Sequence, residues 1–235
     1  MFYAALATLQ ERLFDDNRGD RPGRELARLV PRLVAEVRHL GPSDLAIGLD
    51  SLPADEPWGE FIERYWKSGG REPSDANDVR LFVIEAVLQP FAEVAAFEAR
   101  ANLSSPTRST RPTRPNRPAC PLCGGIPLLS VLREEGHGAR RMLLCGLCLN
   151  EWPSLRLVCT ACGEASFEKL PVYRAEEFDG ARIDVCESCQ AYFKTIDLTR
   201  DGNAVPVVDD LATLPLDLWA RDKGYHRARP NLLRI

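Results

Sequence analysis

Every cysteine in this chain belongs to a Cys-x-x-Cys pair: Cys120/Cys123, Cys145/Cys148, Cys159/Cys162 and Cys186/Cys189, with none left over. Eight thiols so arranged admit two explanations, a disulfide framework or metal ligation. Disulfides suit small secreted domains, whereas this chain has 235 residues and opens on Met1-Phe2-Tyr3-Ala4-Ala5-Leu6-Ala7. That start has no basic n-region and meets Glu11 and Arg12 early, so it reads as a helix and not as a signal peptide. The expected setting is therefore the cytoplasm, where thiols stay reduced and Cys-x-x-Cys pairs are metal knuckles.

The pairs form an internal repeat. The first unit is C-x2-C-x21-C-x2-C and the second C-x2-C-x23-C-x2-C, and a glycine follows the second cysteine of each (Gly124, Gly163). Gly-Ala-Arg precedes the third cysteine in both (138–140 and 180–182). An aromatic stands four residues after the fourth cysteine (Trp152, Phe193), and an aliphatic seven after it (Leu155, Ile196). Several coincidences at matched offsets indicate a duplicated fold unit. A Cys-x-x-Cys turn aims two sulfurs at one point, and glycine supplies the left-handed backbone that such a turn uses. Two facing turns give a tetrahedron of thiolates, the geometry of structural zinc or of a single iron.

Sequential pairing is expected. Cys120, Cys123, Cys145 and Cys148 would hold one ion, and Cys159, Cys162, Cys186 and Cys189 the other; interleaved pairing is the rival. Each ribbon between knuckles is too short for its own core, so the ion would supply on the order of 10 kcal/mol of its folding free energy. Four sulfurs leave no position for water, which disfavours hydrolytic chemistry. His39, His137 and His226 are scattered, and His137 is expected on a solvent-facing loop.

The expected architecture is α+β. Residues 1–103 read as a helical domain, 104–118 as a linker, 119–158 and 159–204 as two tandem metal modules, and 205–235 as a short helical tail. In the helical part Leu26, Leu29, Val30, Leu33, Val34 and Val37 make one apolar stripe, which Pro31 should kink or break. A second helix is expected over Trp58–Lys67, stopped by Gly69-Gly70. A third should be capped near Ser74, Asn77 or Asp78, its apolar face running from Val79 through Phe82, Val83, Ala86 and Val87 to Phe91, Val94 and Phe97. Arg108, Arg111, Arg114 and Arg117 recur every third residue in the proline-rich linker, one edge of a polyproline II helix. Strands are expected at Ile126–Leu132, Met142–Leu144, Leu155–Val158 and Lys194–Leu198. A helix starting near Asp209 or Asp210 should end at Gly224.

Charge and hydropathy narrow the function. The formal charge of −4 opposes bulk attraction to nucleic acid, and no apolar run approaches the roughly 18 residues of a membrane span.

The cysteine block resembles the FdhE family, the formate dehydrogenase accessory (formation) proteins. The matching residues are Cys-Pro-Leu-Cys-Gly-Gly (120–125), Leu-Cys-Gly-Leu-Cys-Leu-Asn-Glu-Trp (144–152), Cys-Thr-Ala-Cys-Gly (159–163) and Cys-Glu-Ser-Cys-Gln-Ala-Tyr-Phe-Lys (186–194). Val-Asp-Asp-Leu-Ala-Thr-Leu-Pro-Leu-Asp (208–217) and Gly224-Tyr225 also fit. The resemblance implies a helical N-terminal part, two rubredoxin-like modules with the eight cysteines as ligands, and no enzymatic turnover. It implies a cytoplasmic role in maturing or activating formate dehydrogenase through contact with its catalytic subunit. It favours iron, one ion per site, with zinc as the alternative. The competing functions are a rubredoxin-like electron-transfer protein and a nucleic-acid-binding zinc ribbon using the arginine linker and Arg140-Arg141.

Overall fold

The structure, a computed structural model, describes residues 6, 8–10, 23–71, 78–102, 119–232 and 234. The proline- and arginine-rich linker and the Ser74 and Asn77 caps lie outside these residues. The chain divides into two compact units, one of residues 1–106, 122–125 and 232–234, the other of residues 107–121, 126–231 and 235.

The first unit is helical. Proline cannot occupy a helix interior without losing a hydrogen bond, so the Leu26–Val37 stripe divides. Helix α1 (Arg24–Ala27) stops, and α2 (Val30–Leu40) begins with Pro31 in its first turn, where the missing N–H costs nothing. Leu26, Val30, Leu33 and Val37 are all buried, so the stripe faces one core in spite of the break. A short helix that the sequence did not announce, α3 (Ser43–Asp50), follows Pro42. Helix α4 (Trp58–Lys67) ends on Gly69 and Gly70, both at positive φ, where a side chain would be strained. Helix α5 (Asp78–Asn102) runs through Pro90 without a break. It is buried on nearly every side from Leu81 to Leu88, among them Glu85, whose carboxylate accepts the Tyr65 hydroxyl. Phe97, expected on the apolar face, is 64% exposed. Helical periodicity fixes the angle of a residue, not how far its packing partners extend along the axis.

The second unit is a seven-stranded sheet in the order β3-β2-β1-β6-β5-β4, with β7 (His226–Arg227) also pairing β6. Strands β1 (Pro127–Glu135), β2 (Gly138–Cys145) and β3 (Glu151–Pro153) form one antiparallel ribbon. Strands β4 (Val172–Tyr173), β5 (Ala181–Val185) and β6 (Ala191–Asp197) form the other. Two self-contained ribbons were expected. Instead they fuse, because β1 pairs β6 in parallel through Ser130–Thr195, Val131–Ile196 and Leu132–Asp197. All seven residues of β6 are buried, as a central strand requires.

Side chains alternate across the pleat. One face carries Leu129, Val131, Ile183, Val185, Tyr192 and Ile196 in a core completed by Leu216 and Ala220 of the C-terminal helices. The opposite face is more polar: Ser130 Oγ lies 2.5 Å from Thr195 Oγ1, which donates to Asp184 Oδ2 at 2.7 Å. The expected strand at Leu155–Val158 is not one. The chain leaves the sheet after Pro153 and crosses as an irregular strap to Cys159. The ladder ends on the Ser154 N–H, which donates to the Arg141 carbonyl at 3.0 Å; beyond it the Leu155 and Val158 carbonyls accept from the Arg141 side chain instead of from a strand.

The one helix expected to start near Asp209 or Asp210 is two, α6 (Pro206–Ala212) and α7 (Leu214–Asp222), and the first begins three to four residues earlier; Asp209 accepts the Val205 N–H at 2.6 Å. Gly224, at φ 86°, closes α7. A buried ion network ties this tail to β6. Lys194 Nζ lies 2.5 Å from Asp217 Oδ2 and 3.3 Å from Asp210 Oδ1, and donates to the Asp210 carbonyl at 2.7 Å. Arg227 bridges the same two carboxylates, Tyr192 donates to Asp217 Oδ1 at 2.9 Å, and Asn231 to Asp210 Oδ2 at 3.1 Å. Two cations thus meet two anions, the arrangement in which buried charge is tolerable.

Candidate metal centres

The eight cysteines gather as two sets of four: Cys120, Cys123, Cys145 and Cys148, and Cys159, Cys162, Cys186 and Cys189, with the sulfurs of each set within 4.8 Å of one another. The grouping is sequential, not interleaved. Cys120 and Cys148 sulfurs are 3.6 Å apart, Cys162 and Cys186 3.6 Å, and Cys159 and Cys189 3.8 Å. A disulfide measures about 2.05 Å, and none joins these residues. A tetrahedron with metal–sulfur bonds of about 2.3 Å has edges of roughly 3.8 Å. The sulfur spacing therefore fits one tetrahedral ion in each set, of the kind zinc or iron makes with four thiolates.

The knuckles are built alike. Gly124 and Gly163, after the second cysteine of each set, take positive φ, and so do Leu149 and Gln190, after the fourth. This reversal turns N–H groups toward sulfur: Gly125 N–H donates to Cys123 Sγ at 3.4 Å, and Leu147 and Cys148 N–H to Cys145 Sγ at 3.4 and 3.5 Å. Three of the four knuckles also close on themselves. Cys145 N–H donates to the Asn150 carbonyl, Cys159 to Glu164 and Cys186 to Ala191, always five residues on. The N–H groups aimed at sulfur favour thiolate, the form that binds metal.

The surroundings of the two sets differ. In the first, Cys120, Cys145 and Cys148 are buried and Cys123 is half-buried. Asn150, which sequence reasoning did not single out, donates its amide to Cys120 Sγ at 3.7 Å. Arg229 lies buried against the knuckle and donates to the Gly146 carbonyl at 3.4 Å. In the second set Cys162 is exposed and Cys189 half-buried. Burial pushes the Cys159 and Cys189 thiols up. At Cys162 burial again pushes upward, but the Glu164 N–H and hydrogen bonds from the neighbouring thiols together outweigh it, so this thiol is held below its ordinary value. The carboxylate of Glu164, nearby, is held at about 2 by hydrogen bonds from Ser188 and the Ser166 N–H.

His137 is exposed in the β1–β2 turn. Of the aromatics after the fourth cysteines, Phe193 is buried and Trp152 half-buried. The matched aliphatic positions part company: Ile196 is 1% exposed and Leu155 71%. Among the described residues no helix is long and apolar enough to cross a membrane.

Comparison with known proteins places this geometry in context. The family model of the FdhE central domain matches residues 119–156, and that of the FdhE C-terminal domain residues 157–234. The protein FdhE homolog of Aquifex aeolicus is 38% identical over 113 residues, 47% of this chain and 40% of its own. That of Haemophilus influenzae (strain PittEE) is 30% identical over 176 residues, 73% of this chain and 58% of its own. The crystal structure of the FdhE protein from Pseudomonas aeruginosa superposes with a TM-score of 0.61 at 26% identity, covering 98% of this chain and 87% of that one. The chain spans about two fifths of the length of the first curated relatives that it matches.

Proposed function

This chain belongs to the FdhE family, and from that premise we propose that it is an accessory protein, not itself an enzyme, which matures or activates formate dehydrogenase by contacting the catalytic subunit. The observation that carries the reading is the pair of closed four-sulfur sets built into a single sheet. Cys120, Cys123, Cys145 and Cys148 would hold one ion, and Cys159, Cys162, Cys186 and Cys189 a second, as rubredoxin-like centres of iron or zinc. A tetrahedral thiolate ion lends rigidity and, as iron, a one-electron couple. With all four positions taken by protein sulfur, such a centre suits holding a docking surface in shape rather than activating water. The cytoplasm, where thiols remain reduced, is the compartment that suits it.

The test is to isolate the protein from cells making formate dehydrogenase, then measure metal content and bound partners together. The expected result is about two ions per chain and co-purifying catalytic subunit. Absence of the subunit, with formate dehydrogenase activity unchanged after deletion of the gene, would reject the proposal.

One observation favours a second reading. The exposed Cys162 brings one sulfur edge of the second set to solvent, as an electron-transfer protein with iron would need. Reversible one-electron reduction of stoichiometric iron by a reductase would support it. Nothing comparable favours nucleic-acid binding by Arg140-Arg141. Arg140 is paired with Glu135 at 3.0 Å, and Arg141 is buried with its guanidinium on the Leu155 and Val158 carbonyls.

A further inference from the structure

The strap from Ser154 to Val158 carries two leucines outward, Leu155 at 71% and Leu157 at 55% exposure, on either side of the exposed Arg156. A loop that cannot bury apolar side chains would ordinarily be polar or mobile. This one is fixed from below: the buried Arg141 donates through Nη1 to the Leu155 carbonyl at 3.3 Å and to the Val158 carbonyl at 3.0 Å, and Ser154 N–H donates to the Arg141 carbonyl. The backbone is thus held while its leucines are kept in water. The repeat sharpens the point, because the position matching Leu155 in the second half, Ile196, is fully buried. The first half has taken a core position out of the core.

Arg156 also lines an open groove of about 580 Å³ on the polar face of the sheet, at the end away from the cysteine knuckles. Its walls include Arg156, Arg174, Arg182 and Arg200 against the carboxylates of Glu134 and Asp197. Arg174 lies 3.6 Å from Asp197, Arg182 2.8 Å from Asp184, and Arg200 pairs with Asp179, whereas Arg156 has no ion pair among the described residues. Three of the four guanidinium groups are thus met by carboxylates, and Arg156 is the one left to face solvent, beside two ordered apolar side chains. Leucines that a partner can desolvate supply affinity; arginines at the rim supply orientation and encounter rate. The carboxylates in the wall make the groove a poor seat for a uniform polyanion and a better one for a peptide, whose carboxylates alternate with amides and apolar groups.

We propose that the Leu155–Leu157 strap and the adjoining arginine groove receive an acidic segment of the formate dehydrogenase catalytic subunit, its apolar residues on the leucines and its carboxylates toward Arg156. This rests on the accessory role proposed above. The test measures binding of the full chain to purified cognate catalytic subunit at low and high salt, for wild type, the Leu155→Ser/Leu157→Ser double variant, Arg156→Glu, and Arg221→Glu as an exposed control on α7. Metal content and unfolding midpoint, expected unchanged, show that the variants fold. The double variant should bind roughly tenfold or more weakly at both salt concentrations. Arg156→Glu should weaken binding about tenfold at low salt and less at high salt, and the control should match wild type. If wild type binds and both strap variants bind equally well, the docking face is overturned while the accessory role stands. If wild type itself does not bind, both fail. If the double variant instead converts a wild-type dimer to monomer, the strap is covered by a second copy of the chain and the assignment is wrong.

Discussion

Gly146 shows how much can depend on one missing Cβ. It lies inside the Cys145–Cys148 knuckle, and a Cβ there would fall 2.6 Å from Arg229 Cδ and closer still to Nε. Arg229 is buried and cannot swing into solvent to relieve the clash. Gly146→Ala should therefore cost about 1–3 kcal/mol of stability in chemical denaturation, as overpacking does, and should quicken metal loss to a chelator. The sequence offered Gly146 as one more residue between cysteines; its reason lies 83 positions away and has no local signal. A second residue-level prediction concerns pH. Burial raises the Glu93 carboxyl from 4.5 to about 7, against the pull of Arg100. A carboxyl whose folded value is raised favours folding while protonated, so its contribution is full below about 4.5 and is lost as pH rises through 7. Glu93→Gln should leave the thermal midpoint unchanged at pH 4 and raise it at pH 8, by at most about 3 kcal/mol of stability.

At the level of elements, α6, α7 and β7 are fastened by charge as well as by apolar packing. Lys194 has no exposed surface and serves Asp210 and Asp217 together. Lys194→Met would leave two carboxylates sharing the Arg227 guanidinium. The expected loss is about 3–5 kcal/mol, read from denaturation at neutral pH, as when one partner of a buried pair is removed. Helices and knuckles were the legible part. α4 came out with its expected bounds, and Pro31 divided its stripe where helix geometry says it must. The strap was misread because Leu-Arg-Leu-Val has the alternation of a strand, yet its carbonyls bond a buried arginine rather than a neighbouring strand. α3 was missed because eight residues give too few turns for a period to declare itself.

In the whole molecule, the sequence repeat foretold two sulfur sets but not that their strands would share one sheet. Spacing reports local closure; parallel pairing between β1 and β6 depends on residues 65 positions apart and writes no motif. One consequence is energetic. Cys162→Ala should release one metal equivalent, measured by elemental analysis. It should also lower the unfolding midpoint of the whole sheet in one transition, because β6 of the second ribbon pairs β1 of the first. Another concerns synthesis. While the ribosome has delivered only the first ribbon, β1 shows a bare row of amides and carbonyls along the side that β6 will occupy, and bare edges recruit other chains. A nascent chain released near residue 158 should clump, whereas the finished one carries its own guard for that edge.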